Sequence, residues 1–144
     1  MGIVRALIGF IAGLAVAFIL VIAVELFSAV VHPFPEGFEG TKDEVCAHVE
    51  KYPAWVLAAV VPMWALVVFC SVWVARKIDG FASSIVVGAL LLVAVGFNQW
   101  MLPYPRWFEI ANFVALPLGM LGAIRLSGTT VDILPEENAD AETT

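Results

Sequence analysis

From residue 98 to residue 109 the chain reads NQWMLPYPRWFE. Two apolar runs meet across this short turn, which holds Pro103 and Pro105, and each run is long enough to cross a bilayer. Inside hydrocarbon no water is present to satisfy backbone amides, so a long uninterrupted apolar run is stable only as a helix. The turn therefore predicts an antiparallel helical hairpin with a polar and aromatic rim.

Outward from the turn, four runs have the roughly 17 to 25 residues that a hydrocarbon core about 30 Å thick demands. They cover residues 3–27, 53–75, 81–102 and 107–126, and leave an intervening loop over 28–52. The chain has 144 residues, 62% of them hydrophobic and only 14% charged, where soluble domains are about half apolar. These properties predict an all-α fold, an integral membrane four-helix bundle occupying residues 1–126. The remainder, 127–144, has five acidic side chains and no Lys or Arg, and is expected to be a disordered acidic tail.

Four crossings put both termini on one side. That side carries Arg5, Arg76, Lys77 and Arg125, against Lys42, Lys51 and Arg106 on the other. The tight RKIDG turn is strongly basic, whereas Lys42 and Lys51 lie in the long loop, so the positive-inside rule places both termini in the cytoplasm. Arg5 followed by an apolar run has the outline of a signal peptide. The run to Val24 exceeds the 7 to 15 residues of an ordinary h-region, and no small-x-small site follows, so the segment is expected to be retained.

Several features describe packing. Gly9, Gly13 and Ala17 recur four residues apart in the first segment, which lets helix backbones approach closely in lipid. Ser84, Gly88 and Gly96 suggest a similar stripe in the third, and Gly119 and Ala123 in the fourth. Pro62 falls in mid-span and is expected to bend its helix. In the long loop, HPFPEGFEG is irregular, while Thr41 and Glu44 stand at capping-box spacing ahead of Val45 and Val49, predicting a short amphipathic helix at the outer surface.

The chemistry-bearing residues are few. If the termini are cytoplasmic, Glu25, Asn98, Arg106, Glu109 and Asn112 all lie near the outer end of a helix, and lipid penalises leaving any of them alone. They form the candidate polar layer, with Arg106 the expected partner of Glu25 or Glu109. His32, Cys46 and His48 lack the four-ligand pattern of a structural zinc site, so no metal is expected. Cys46 and Cys70 are too far apart to pair, because Cys70 lies 17 residues beyond Pro53, about 25 Å down a helix. No nucleophile-base pair or cofactor motif is present, so neither enzyme activity nor a cofactor is expected. The net charge of −6 argues against a nucleic-acid partner. Membrane lipid, a second copy of the chain or another membrane protein are the expected partners.

Asn98, Met101, Leu102, Pro103, Pro105, Trp107 and Phe108, with Val24-Glu25 and Trp73-Val74-Ala75, resemble the pattern of a group of small, uncharacterised four-helix bacterial inner-membrane proteins. The chain departs from that pattern at Cys70 and Ser71, where the group is associated with glycines. The resemblance implies a fold and a bacterial inner-membrane location, and no activity. On the residues themselves, a structural or interaction role in the membrane ranks first, and a small oligomeric proton- or ion-coupled carrier is the alternative.

Overall fold

The computed structural model describes residues 2–128. It contains α1 (Gly2–Val31), α2 (Lys42–Glu50), α3 (Ala54–Ile78), α4 (Phe81–Met101) and α5 (Arg106–Ser127), with no strand among the described residues. All but α2 are long and apolar enough to cross a membrane. The fold is an all-α four-helix membrane bundle. From residue 129 onward the expected acidic tail lies outside the described residues.

α1 is longer than its sequence suggested. Its 30 residues span about 45 Å, well beyond a hydrocarbon core of about 30 Å, so it must tilt or project beyond the lipid. It continues past Phe27 because Ser28 is buried in the bundle and Ala29 to Val31 remain apolar; Pro33 then disfavours helical backbone at His32. Glu25 consequently sits well inside the helix rather than at its end.

The connections follow local chemistry. The Thr41 side chain accepts from the Glu44 amide at 3.4 Å, and the Glu44 carboxylate accepts from the Thr41 amide at 3.0 Å, completing the predicted capping box of α2. Gly80, at φ 106°, makes the sharp turn from α3 into α4, a conformation closed to most L-residues. Between α4 and α5 the Tyr104 amide donates to the Leu102 carbonyl at 2.8 Å, and Pro105 caps α5.

α3 is the hub. It packs against α1, α4 and α5, while α1 and α5 flank it without meeting. Its Val56, Val68, Val72 and Ala75 are fully buried, and large apolar side chains on the outer surfaces, such as Ile3, Phe113 and Trp100, project toward lipid. From mid-span to the terminal side the contacts are backbone-close. A Cβ built on Gly13 falls 3.0 Å from the Ala75 Cβ and 3.1 Å from the Ser71 carbonyl oxygen; one built on Gly119 falls 2.7 Å from the Ala65 carbonyl oxygen. Ser71, fully buried, turns its hydroxyl back to the Val67 carbonyl at 2.7 Å and so permits this approach. The Arg5 side chain donates to the Ile78 carbonyl, and the Ser83 hydroxyl donates to the Ala6 carbonyl at 3.1 Å, tying α1 to the α3–α4 turn.

Gly96 departs from the expected stripe. It is exposed, and no atom lies within 4 Å of its built Cβ. The buried face of α4 instead runs through Ser84, Val87, Gly88, Leu91 and Val95. At about 100° per residue, position 96 has rotated about 80° from Gly88, away from that face. Gly13→Leu is expected to lower the stability of the detergent-solubilised protein by roughly 1–3 kcal/mol through overpacking, and Gly96→Leu to leave it unchanged. Paired thermal melts decide: equal melting temperatures for the two variants would refute the assigned seam.

Candidate functional site

Away from the termini the small-residue contacts give way to larger side chains, and the helices enclose space. A partly open cavity of about 420 Å³ lies between them. Val21, Val24, Glu25 and Ser28 of α1 form one wall, and Leu57, Val60 and Trp64 of α3 another. Leu91, Val95, Asn98 and Gln99 come from α4, and Phe108 and Asn112 from α5. Tyr104 enters from the turn between them, and Phe34, Tyr52 and the Val45, His48 and Val49 face of α2 form the roof.

The α5 wall follows from which side chain is cheapest to bury. Phe108, Asn112 and Leu116, four residues apart, make its inward face. A buried aromatic ring gains free energy, whereas a carboxylate loses its hydration, so Phe108 rather than Glu109 turns inward. Glu109, rotated about 60° from Asn112, is half-buried, and Arg106, about 120° away, is exposed. Of the predicted layer, the cavity therefore gathers Glu25, Asn98 and Asn112; Arg106 and Glu109 are not among its lining residues.

The lining retains unpartnered polar atoms. Asn112 is only 1% exposed and donates through Nδ2 to the Phe108 carbonyl at 3.1 Å, while its Oδ1 has no hydrogen-bond partner. Gln99 Nε2 and His48 Nε2 are likewise buried without partners. In a low-dielectric setting each such atom costs about 1–3 kcal/mol.

The roof is an aromatic group. The His32 and His48 rings stack at 4.3 Å between centroids, and His32 Nε2 donates to the His48 carbonyl at 3.3 Å. Phe34 stacks on His48 at 4.5 Å and on Phe38 at 4.3 Å, and Tyr52 lies against both imidazoles. Burial, then the neighbouring His32 and Lys51 charges, hold the His48 imidazole below its ordinary pKa. Burial pushes the Tyr104 hydroxyl up to about 12, with Tyr52 and Glu25 adding to the shift. Tyr52 is also raised, first by burial and further by Glu25, against the effect of a hydrogen bond with the Ser28 side chain. Glu25 lines the same cavity as both phenols.

Sequence reasoning missed Tyr52, Tyr104 and Trp64 as wall residues, since each also fits an ordinary interfacial or packing role. Tyr104 carried one signal, its place between two prolines in the turn. Among the described residues no three His, Cys, Asp or Glu side chains are grouped to hold a metal ion, and Cys46 and Cys70 are free thiols. Comparison with protein-family models, with curated proteins and with solved structures finds no match.

A depressed imidazole pKa has a definite stability consequence. Above the ordinary value of 6.5 neither state of His48 holds the proton. Below it the unfolded segment takes up a proton that the folded roof resists, so the stability of the roof falls as pH drops and levels off below the folded pKa. Amide hydrogen exchange in α2 is expected to accelerate as pH is lowered from about 7 to about 5, after correction for intrinsic exchange rates, and His48→Phe to flatten that response. A wild-type profile as flat as that of His48→Phe would refute the assignment.

Proposed function

We propose that the protein is a small solute-binding membrane protein, a carrier working as an oligomer, whose ligand enters the cavity beneath α2. The observation that carries this reading is the coincidence of a cavity of about 420 Å³ with unpartnered buried atoms on Gln99, His48 and Asn112 in its lining. Ligand pockets commonly span about 300–1,000 Å³, with apolar walls and a few polar groups that orient the ligand. A bundle that served only as scaffold gains nothing from such atoms, and apolar residues there would pack better. Of the two readings offered by the sequence, these atoms support the carrier alternative. Glu25, among amides and phenols, and Ser28, engaged with Tyr52, suit holding a polar group rather than breaking a bond.

The same proposal places the protein in a bacterial inner membrane with both termini cytoplasmic, supported by the basic side chains Arg5, Arg76, Lys77 and Arg125 on the terminal side. The cavity then opens outward. Two labelling experiments test these points. Native Cys46 is expected to react with a membrane-impermeant maleimide on intact cells, and reaction only after lysis would reverse the orientation. In a Cys46→Ser, Cys70→Ser background, Val60→Cys on the cavity wall is expected to react with 2-aminoethyl methanethiosulfonate, and Val72→Cys at the packed end to stay unmodified. Equal protection of the two would remove the case for a ligand route.

A further inference from the structure

Resting on that binding reading, we propose that the ligand is an organic ammonium ion with a compact apolar or aromatic body, held against the Glu25 carboxylate among the rings of Tyr52, Trp64, Tyr104 and Phe108. Charge is the first argument. Among the described residues Glu25 is the one acidic side chain on the cavity wall, and no Lys or Arg lines it. His48, the remaining basic group there, is held toward its neutral form by burial. Glu25 is exposed on its helix while lining the cavity, and a carboxylate on a spanning helix favours a cationic partner, whereas an anionic ligand would meet repulsion with nothing to offset it.

The size and chemistry of the walls separate organic from inorganic cations. Hard metal ions take six or more oxygen ligands at short range, and the cavity offers one carboxylate and a few amide and hydroxyl groups spread over about 420 Å³ of mainly aliphatic and aromatic wall. That surface leaves a hydrated ion poorly solvated but suits a cation with an apolar body. The aromatic content supplies the rest. Tyr104 and Phe108 lie with ring centroids 4.9 Å apart, and Tyr52 and Trp64 complete the set. Ring faces attract ammonium groups within about 6 Å of the centroid, most strongly where water is excluded. Glu25 and the Tyr52, Trp64, Tyr104 and Phe108 rings line the same cavity. Asn112 Oδ1, unpartnered in a residue 1% exposed, carries partial negative charge suited to the polarised N–H or N–CH3 groups of an ammonium ion after a small side-chain adjustment.

The test is isothermal titration calorimetry on the full-length protein in detergent with three water-soluble aromatic probes: benzyltrimethylammonium, benzyl alcohol and benzenesulfonate. Benzyltrimethylammonium is expected to bind at least tenfold tighter than the other two, and Glu25→Gln to remove at least tenfold of that affinity while Glu25→Asp retains most of it. Tyr104→Phe, which keeps the ring, is expected to bind within about threefold of wild type, and Tyr104→Leu to lose several-fold more. Melting temperatures identify any variant that has lost its fold, and the comparison of probes on wild type stands without variants. Equal binding of benzyl alcohol and benzyltrimethylammonium, unaffected by Glu25→Gln, would overturn the ammonium inference and leave the solute-binding reading in place. Binding of none of the probes would also overturn it, and the accessibility of Val60→Cys then decides separately whether the binding reading survives.

Discussion

Close backbone contact between α3 and its neighbours is the constraint on which the rest of the bundle depends. In lipid, apolar side chains gain little by leaving one apolar medium for another, so association relies on dispersion contacts and short polar links. Gly9 and Gly13 bring α1 onto Ala75 and Ser71 of α3, and Gly119 brings α5 onto Ala65. One helix supplies both partners, which explains why α3 forms the hub and why α1 and α5 can flank it without touching. The Arg5 and Ser83 hydrogen bonds then fix the terminal end in the same register.

The open end is a consequence of the closed one. Helices drawn together where the side chains are small cannot stay as close where Trp64, Tyr104 and Phe108 project between them. The space they enclose would expose polar groups at a membrane face, and α2 with the His32 and Phe34 segment lies over it. The capping box at Thr41 and Glu44 stabilises this roof locally, since two amides otherwise left over at the start of α2 are satisfied by side chains. The roof is short and joined to the spans by an irregular segment and by Tyr52 and Pro53, so its attachment depends on His48, Val49 and the stacked rings rather than on helix-helix packing.

Unpartnered buried polar atoms occur at both ends, one on Arg76 near the termini and three around the cavity. Near the termini Arg5, Asp79 and Ser83 are engaged with one another's helices or with backbone carbonyls. Around the cavity Gln99, His48 and Asn112 retain unpartnered atoms beside an acidic wall residue. The three cavity atoms are grouped on one lining, and proteins commonly keep such locally unfavourable groups where ligands bind.

Sequence alone determined the four spans, the short capped helix and the α1 seam, because each depends on local properties: run length against bilayer thickness, hydrogen bonds between residues three apart, and small residues every fourth position. It marked Ser84 and Gly88 of α4 and Gly119 and Ala123 of α5 as packing positions, but did not fix the exact rotation of either helix about its axis. Both are apolar on nearly all sides, and lipid is as apolar as a helical neighbour, so the pattern leaves the edges of the inward face undefined. Only the tertiary structure chose Phe108 over Glu109, turned Gly96 outward, and gathered Tyr52, His48 and Glu25 on one cavity. These placements depend on contacts among residues far apart in the chain, and the cavity exists only once all of them are made.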